Sequence, residues 1–288
     1  MTNNWQRAAQ RALDSTIERL TAVGGGDFAQ SYCAQLAGGE QVFIKTHSNP
    51  PAGFFSTEAA GLKWLHDTTA VAVPEVRAFS DDPPFLALHW IDVSVHGVVN
   101  SRNEADFGRS LAQLHRVPQH KFGRVDGRTT GSLALSNQPC SSWAEFFATR
   151  RLLPLAEIAR NRNAMSSKDI NAVERLAQNL DTLDIPVEPP SLLHGDLWAG
   201  NRLVDTDGVS WLIDPAAHNS HREFDLAMMQ LFGGFGSECF AAYNEAYPLQ
   251  RGWQRRISLH QLAPLIVHAI KFGSAYIPPI RKALKDWR

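Results

Sequence analysis

Apolar side chains recur at helical spacing from the start of the chain. Trp5, Ala8, Ala9, Ala12, Leu13, Ile17 and Leu20 predict a helix over residues 4–20. Gly24-Gly25-Gly26 breaks it. Two short β-like runs follow, Ser31–Leu36 and Gln41–Thr46, with Gly38-Gly39 between them as a hairpin signal. Ser56 is placed to cap a helix running through Glu58, Leu62 and Leu65. Residues 71–79 and 84–93 read as strands around an Asp81-Asp82-Pro83 turn. The chain up to residue 92 is therefore strand-rich, with one internal helix.

Beyond that point helical periods dominate, over 105–114, 143–158, 168–183, 224–232, 238–247 and 254–276, with Pro154 as an expected kink. One β segment, 192–214, interrupts them. The loop at 117–142 is long, polar and Gly-rich, which predicts a functional role for it. No repeat of fixed period and no low-complexity tract is present. The pattern predicts an α+β chain of two lobes: a small strand-rich lobe, residues 1–92, and a larger helical lobe, residues 93–288. They join near Ile91–Ser94, and the cleft between them is a natural ligand site.

Composition narrows the classes. At 288 residues the chain can bury a core without a metal or disulfide staple. Apolar residues at 44% and charged residues at 20% are those of a globular protein. Lys plus Arg is 28 against 29 for Asp plus Glu, a net charge of −1. That balance argues against a dedicated nucleic-acid or anionic-membrane binder while leaving room for a local basic site. No apolar run approaches the ~20 residues of a membrane span, and MTNNWQRAAQ has no apolar signal core. Cys33, Cys140 and Cys239 are scattered, odd in number and without metal spacing, and are read as reduced thiols of a cytoplasmic protein.

The most informative stretch runs from Leu192 to Asn201, where a strand-like opening gives way to His194, Asp196, Trp198 and Asn201 in close succession. A hairpin follows. If Asp207-Gly208 is its two-residue turn, Asn201 and Asp214 face each other at its open end. An amide oxygen and a carboxylate suit a hard cation such as Mg²⁺. Asp196 could supply a third oxygen, or better, a base for a hydroxyl proton. Phosphoryl transfer in kinases uses such a set. These residues also suit ordinary turns. The N-terminal region adds weight to the kinase reading: the turn at Gly24, Gly25 and Gly26, then Lys45 at the end of a strand, then Glu58 on the apolar side of a helix, where a charge needs a partner.

At these residues the chain resembles the fructosamine (ketosamine) 3-kinases, within the wider aminoglycoside-phosphotransferase and protein-kinase-like fold. The matching segments are Leu193–Asn201, Ile213–Ala216, His221–Met228, Leu231–Phe235, Ala242–Leu249, Ser142–Phe147 and Leu111–His115, so the likeness covers nearly the whole chain. His-Gly-Asp alone marks the broad phosphotransferase group; Trp198 and the Phe-Gly-Gly-Phe segment narrow it.

The resemblance implies ATP-dependent phosphorylation of the 3-hydroxyl of a ketosamine, free or on a protein lysine. The product is an unstable 3-phosphate that sheds the sugar. It implies Asp196 as base, Asn201 and Asp214 on Mg²⁺, and Lys45 on ATP phosphates, paired to Glu58 and covered by the glycine loop. His89 and Ile91 would offer backbone groups to adenine. Trp198 would shape the sugar pocket, or else pack the loop as a core residue; His268 would lie near substrate, or else be a core histidine.

Asp225 would cap a helix or brace the loop at 194–196, His194 would orient that loop, and Arg222 and Glu223 would form a structural ion pair. The expected partners are small-molecule ketosamines or glycated lysines, with no nucleic acid and no membrane, and a monomer is favoured. A kinase for another hydroxylated amine, aminoglycoside or choline, is the nearest alternative, and a nucleotide-binding pseudokinase a further one. Departures from the family pattern are His89 and Trp90 in the hinge, where an acidic then an aromatic residue is usual, Ser220 where Gly is usual, and Asp27 after the glycines, where some members carry Cys. Cys33 is expected to be a packed strand residue.

Overall fold

The computed structural model describes residues 3–24, 29–93 and 101–287. The first helix, α1 (Asn4–Ala12), is shorter than its periodicity predicts. Asp14 turns into the left-handed region (φ 49°), and the Gln10 side-chain oxygen accepts the Ile17 amide at 2.8 Å. Ile17 and Leu20 therefore belong to a strand, β1 (Ile17–Val23). Its inward apolar residues fall three apart and a bulge lies between Ile17 and Arg19, so the strand imitates helical spacing.

The next two strands form where the sequence predicts them, as β2 (Gln30–Leu36) and β3 (Gln41–Thr46), joined through Gly38 and Gly39, both at positive φ. The second helix, α2 (Phe54–Asp67), begins earlier than a Ser56 cap would place it. Asp81 caps it from across the sheet, accepting the Phe55 and Ser56 amides at 3.2 and 3.1 Å. Ser56 lies within the first turn, its hydroxyl donating to the Gly53 carbonyl. The last two strands of this sheet are shorter than expected: β4 is Val76–Asp81 and β5 is Pro84–His89. The antiparallel sheet runs in the order β1-β2-β3-β5-β4.

The helical lobe contains α3 (Ser101–His115), α4 (Trp143–Phe147), α5 (Leu153–Asn161), α6 (Ser167–Gln178), α7 (Glu223–Phe232), α8 (Ser237–Ala246), α9 (Trp253–His260), α10 (Leu262–Phe272) and α11 (Ile277–Asp286). A π-helical turn, Ala148–Leu152, joins α4 to α5, so the irregularity expected at Pro154 lies just before it and Pro154 sits in the first turn of α5. The single helix expected over 254–276 breaks at Gln261, because Pro264 has no amide to give the His260 carbonyl. It ends at Gly273 (φ 94°).

Four short strands carry the β segment: β6 (Ser191–Leu193) pairs with β9 (His218–Ser220), and β7 (Arg202–Val204) with β8 (Ser210–Leu212). Ser220, where the family pattern has Gly, pairs with Ser191 at an ordinary φ, so nothing there demands glycine.

The two lobes share buried side chains. Phe55, Leu62 and Leu65 of α2 belong to the same cluster as Leu111 of α3, Leu226 of α7 and Tyr243 of α8. The Leu212 amide also donates to the Ala72 carbonyl at 2.9 Å. A second cluster, centred on Phe146, Phe147, Leu152 and Ile266, fills the helical lobe.

Helices α3 and α8 approach closely by backbone: a Cβ on Gly108 would lie 2.1 Å from the Cys239 carbonyl oxygen. Helix propensity alone makes Gly108→Ala stabilising by about 1 kcal/mol. The backbone clash outweighs it, and the substitution should destabilise by about 2 kcal/mol or more. Urea unfolding reads the sign directly, and a stabilised variant would mean that the helices are spaced more widely.

Candidate active site

β6 is wholly buried and feeds directly into the loop that carries Asp196. The loop is held from behind. Gly195 has φ 80°, and a Cβ there would sit 2.3 Å from the Ala216 carbonyl oxygen, so a side chain is excluded. Asp225, in the first turn of α7, accepts the His194 amide at 2.8 Å on one oxygen and the Gly195 amide at 2.9 Å on the other. Asp225 is thus a brace and not the cap. Burial opposes its charge, but the hydrogen bond and positive field of His115 and the loop amides outweigh this and hold its pKa below the ordinary carboxylate value. His115 is in turn hydrogen-bonded to the Tyr243 hydroxyl at 2.8 Å.

His194 orients the loop. Its Nδ1 accepts the Asp196 amide at 3.3 Å, so the proton lies on Nε2, which donates to the Ile213 carbonyl at 2.9 Å.

Asp196 faces a cavity of about 700 Å³ that is also lined by Lys45, Glu58, Asn201 and Asp214. Burial, reinforced by the Asp214 charge, pushes the Asp196 carboxyl up to about 7, against the stabilising Asn201 hydrogen bond. Asn201 Nδ2 donates to the Asp196 backbone carbonyl at 2.9 Å and to its carboxylate at 3.3 Å, which leaves Oδ1 as the other end of the amide.

The hairpin differs by one residue from the expected register. Its pairs are Arg202 with Leu212, Leu203 with Trp211 and Val204 with Ser210. The loop has three residues and ends on Gly208 at φ 84°, since the Asp205 side chain draws in the Asp207 and Val209 amides. Asn201 therefore faces Ile213, its carbonyl accepting the Ile213 amide at 3.0 Å. Asp214 still reaches the cavity because it leaves the strand in the left-handed region, at φ 54°. The Asp214 and Asn201 side chains present only oxygen to a cation, a donor set that fits Mg²⁺.

Lys45, nearly closed off from water, forms ion pairs with Glu58 of α2 and with Asp214, the latter at 2.7 Å. Burial alone would lower the Lys45 pKa, but the two carboxylates outweigh it and hold the ammonium above its ordinary value.

Trp198 and His268 also line the cavity. Trp198 is 39% exposed, and its ring covers Gly200 so closely that a Cβ there would lie 2.2 Å from it. His268 packs among Phe232, Phe272 and Tyr276 with ring centroids 4.9–5.4 Å away. Its Nδ1 donates to the Pro264 carbonyl, and burial lowers its pKa.

Gly24, His89 and Ile91 do not line the cavity. The His89 amide donates to the Glu75 carbonyl at 2.9 Å. Gly25, Gly26, Asp27 and Ser94 lie outside the described residues.

Arg222 and Glu223 do not pair with each other. Arg222 holds Glu188 at 2.6 and 2.8 Å, and Arg256 holds Glu223 at 2.8 and 2.6 Å. Cys33 lies in β2, as expected, and burial raises its thiol pKa. The sequence reading did not single out Arg151, His218 or Lys271, which also line the cavity. The long loop it marked does contribute, through Thr129–Leu133 and Leu135.

The chain matches the family model described as fructosamine kinase over residues 1–287. It is 32% identical over 288 residues to a protein of Lactiplantibacillus plantarum named "probable ketoamine kinase", covering 100% of this chain and 99% of that one. It is 30% identical to an Arabidopsis thaliana chloroplastic protein-ribulosamine 3-kinase, covering 94% and 83% of the two chains. The crystal structure of a candidate fructosamine-3-kinase from Thermobifida fusca superimposes with a TM-score of 0.89 at 35% identity, covering 99% of each chain. The aminoglycoside phosphotransferase APH(4)-Ia shares the two-lobed kinase fold at a TM-score of 0.64 and 13% identity, covering 99% and 98% of the chains. With the match running the length of the sequence and the structural likeness spanning both lobes, the chain belongs to the fructosamine kinase family.

Proposed function

We propose that the protein is an ATP-dependent ketosamine 3-kinase whose product, an unstable 3-phosphate, releases the sugar and so deglycates amines or glycated lysines. The observation that carries this is the convergence of Asp196, Asn201, Asp214 and the Lys45–Glu58 pair on one cavity. Asp196 is the base. It takes the proton of the substrate 3-hydroxyl as that oxygen bonds to the γ-phosphorus, the bond to the β–γ bridging oxygen breaks, and ADP leaves with the bond's electrons.

Asn201, through Oδ1, and Asp214 would hold Mg²⁺, which when bound neutralises charge on the phosphate oxygens. Lys45, kept charged and oriented by Glu58, contacts the ATP phosphates, with Gly24, Gly25 and Gly26 as their cover. At the hinge the His89 amide is already used by Glu75, so its carbonyl and the Ile91 amide are the groups for adenine. Trp198 and His268 shape the sugar pocket. The lobes divide at residues 92 and 93, between the end of β5 at His89 and the start of α3 at Ser101. No helix among the described residues is long and apolar enough to cross a membrane.

The reading is tested by ADP release with Mg²⁺-ATP and a panel of fructosyl-, ribulosyl- and erythrulosyl-lysine, choline and an aminoglycoside. Ketosamine-dependent release is expected. Release with choline or the aminoglycoside alone would move the protein to another amine-alcohol kinase, and nucleotide binding with no release would make it a pseudokinase.

Asp196→Asn separates chemistry from folding. Turnover should fall by about 10²–10⁴ with ATP binding nearly intact; normal turnover would remove Asp196 from the base role. The same variant has a pH signature in metal-free protein. The native pKa of about 7 lies above the ~3.9 of an unfolded Asp, so the native state binds more protons between those values. Wild-type stability from this group is thus present at low pH and lost as pH rises through about 7. The variant's advantage should grow over that window to about 1–2 kcal/mol, discounted from the full shift because the side chain is only part-buried. Parallel stability–pH curves for the two proteins would contradict the assignment.

A further inference from the structure

Arg151 lines the cavity, is 5% exposed, and has no carboxylate partner among the described residues. Nη1 donates to the Ser136 and Arg150 carbonyls at 2.9 Å, and Nη2 to the Asn137 side-chain oxygen at 2.5 Å. A guanidinium has five N–H donors. These three bonds leave Nε–H and one Nη2–H for a further acceptor, and the Nε edge of a guanidinium is a two-pronged fork that suits a carboxylate or phosphate. The group is rigidly set: it lies 4.6 Å over the Phe146 ring, and it belongs to the π-helical turn, a rare feature that recurs at functional sites. A buried cation without a counter-charge is costly, and burial lowers the Arg151 pKa to about 9. Lys271, on the same cavity, is exposed, and its charge acts on the Asp196 carboxylate. The acidic residues lining the cavity, Glu58, Asp196 and Asp214, all belong to the phosphoryl-transfer set. Arg151 is therefore the buried positive charge on this cavity that has no ion-pair partner among the described residues.

We propose that the unused edge of Arg151 is a subsite for an oxyanion carried by the ketosamine itself, either a carboxylate on the amine portion or a phosphate ester on the sugar. This rests on the ketosamine-kinase reading and adds a specificity determinant to it. Both sources present the same paired oxygens, and cationic amines without an anion gain nothing from the site.

The test compares kcat/KM for three substrates with one sugar: N-fructosyl-propylamine, N-fructosyl-β-alanine, and the 6-phosphate of N-fructosyl-propylamine. In the wild type one anionic substrate should exceed N-fructosyl-propylamine by about tenfold or more, and which one identifies the source. In Arg151→Met that ratio should fall to about one. Arg151→Lys, which keeps the charge without the fork, should retain only part of it. Turnover of all three by the wild type with no preference for either anion overturns the subsite and leaves the kinase reading standing, even if the variants fail to fold. An equal loss on all three in Arg151→Met assigns Arg151 to holding the 136–138 loop instead, and also overturns it. Where the lysine panel above selects ribulose or erythrulose, the three substrates are made with that sugar, the phosphate on its terminal hydroxyl if it has a free one; turnover of none of them, nor of any ketosamine in that panel, defeats the kinase reading and the subsite together.

Discussion

The Asp225 carboxylate has no contact with water, and an ion so placed is tolerated only when its lone pairs are met by well-aligned donors. Two of those donors are the amides of His194 and Gly195. The backbone that carries Asp196 is thus fixed by the same contacts that make a buried charge in α7 acceptable. His115 and Tyr243 extend the network to α3 and α8. Several kcal/mol of desolvation stand against these bonds, so the loop and the helices behind it are bound to one geometry. The strictly glycine position at 195 follows from how tightly the loop is drawn onto the Ala216 carbonyl.

On the open side of that loop the electrostatics are divided. Acidic groups cluster where phosphoryl transfer would take place, and Lys45 is already shared between two of them. Asp214 is 40% exposed in this arrangement, whereas Glu58 is almost fully enclosed. An anion drawing on Lys45 would therefore displace Asp214 more readily than Glu58, and under the proposed function Asp214 would be the carboxylate freed for a cation. Away from this cluster the cavity wall is aromatic and positive, a poor host for a polycation.

Much of this was legible in the sequence because the chemistry is carried by residues few in number and local in spacing. His194, Asp196, Asn201 and Asp214 fall within 21 residues, and Lys45 and Glu58 lie on elements whose type the pattern fixes. What escaped depended on one-residue geometry or on distant partners. The bulge in β1 set apolar residues three apart and disguised a strand as a helix. The Asp205 side chain made a three-residue loop where Asp-Gly suggests two, and only the left-handed turn at Asp214 returned that carboxylate to the cavity. Arg222 and Glu223 are adjacent in sequence, yet their partners are 34 and 33 residues away. Arg151 stands next to another arginine in an amphipathic helix, and nothing in its spacing shows that a π-helical turn buries it beneath a loop.

The core cluster shared between α2 and the helices α3, α7 and α8 has a mechanical consequence. A chain with two lobes invites the picture of two folding units on a hinge. Here one apolar face of the sheet-bearing lobe, Phe55 and Leu62 of α2 with Leu86 and Leu88 of β5, is closed by residues more than 130 positions further along, Leu226 and Tyr243 among them. Each half keeps a cluster of its own, Ile44 and Phe85 in one and Phe146 and Ile266 in the other, but a cut at the junction would open the one they share and expose its apolar residues on both pieces.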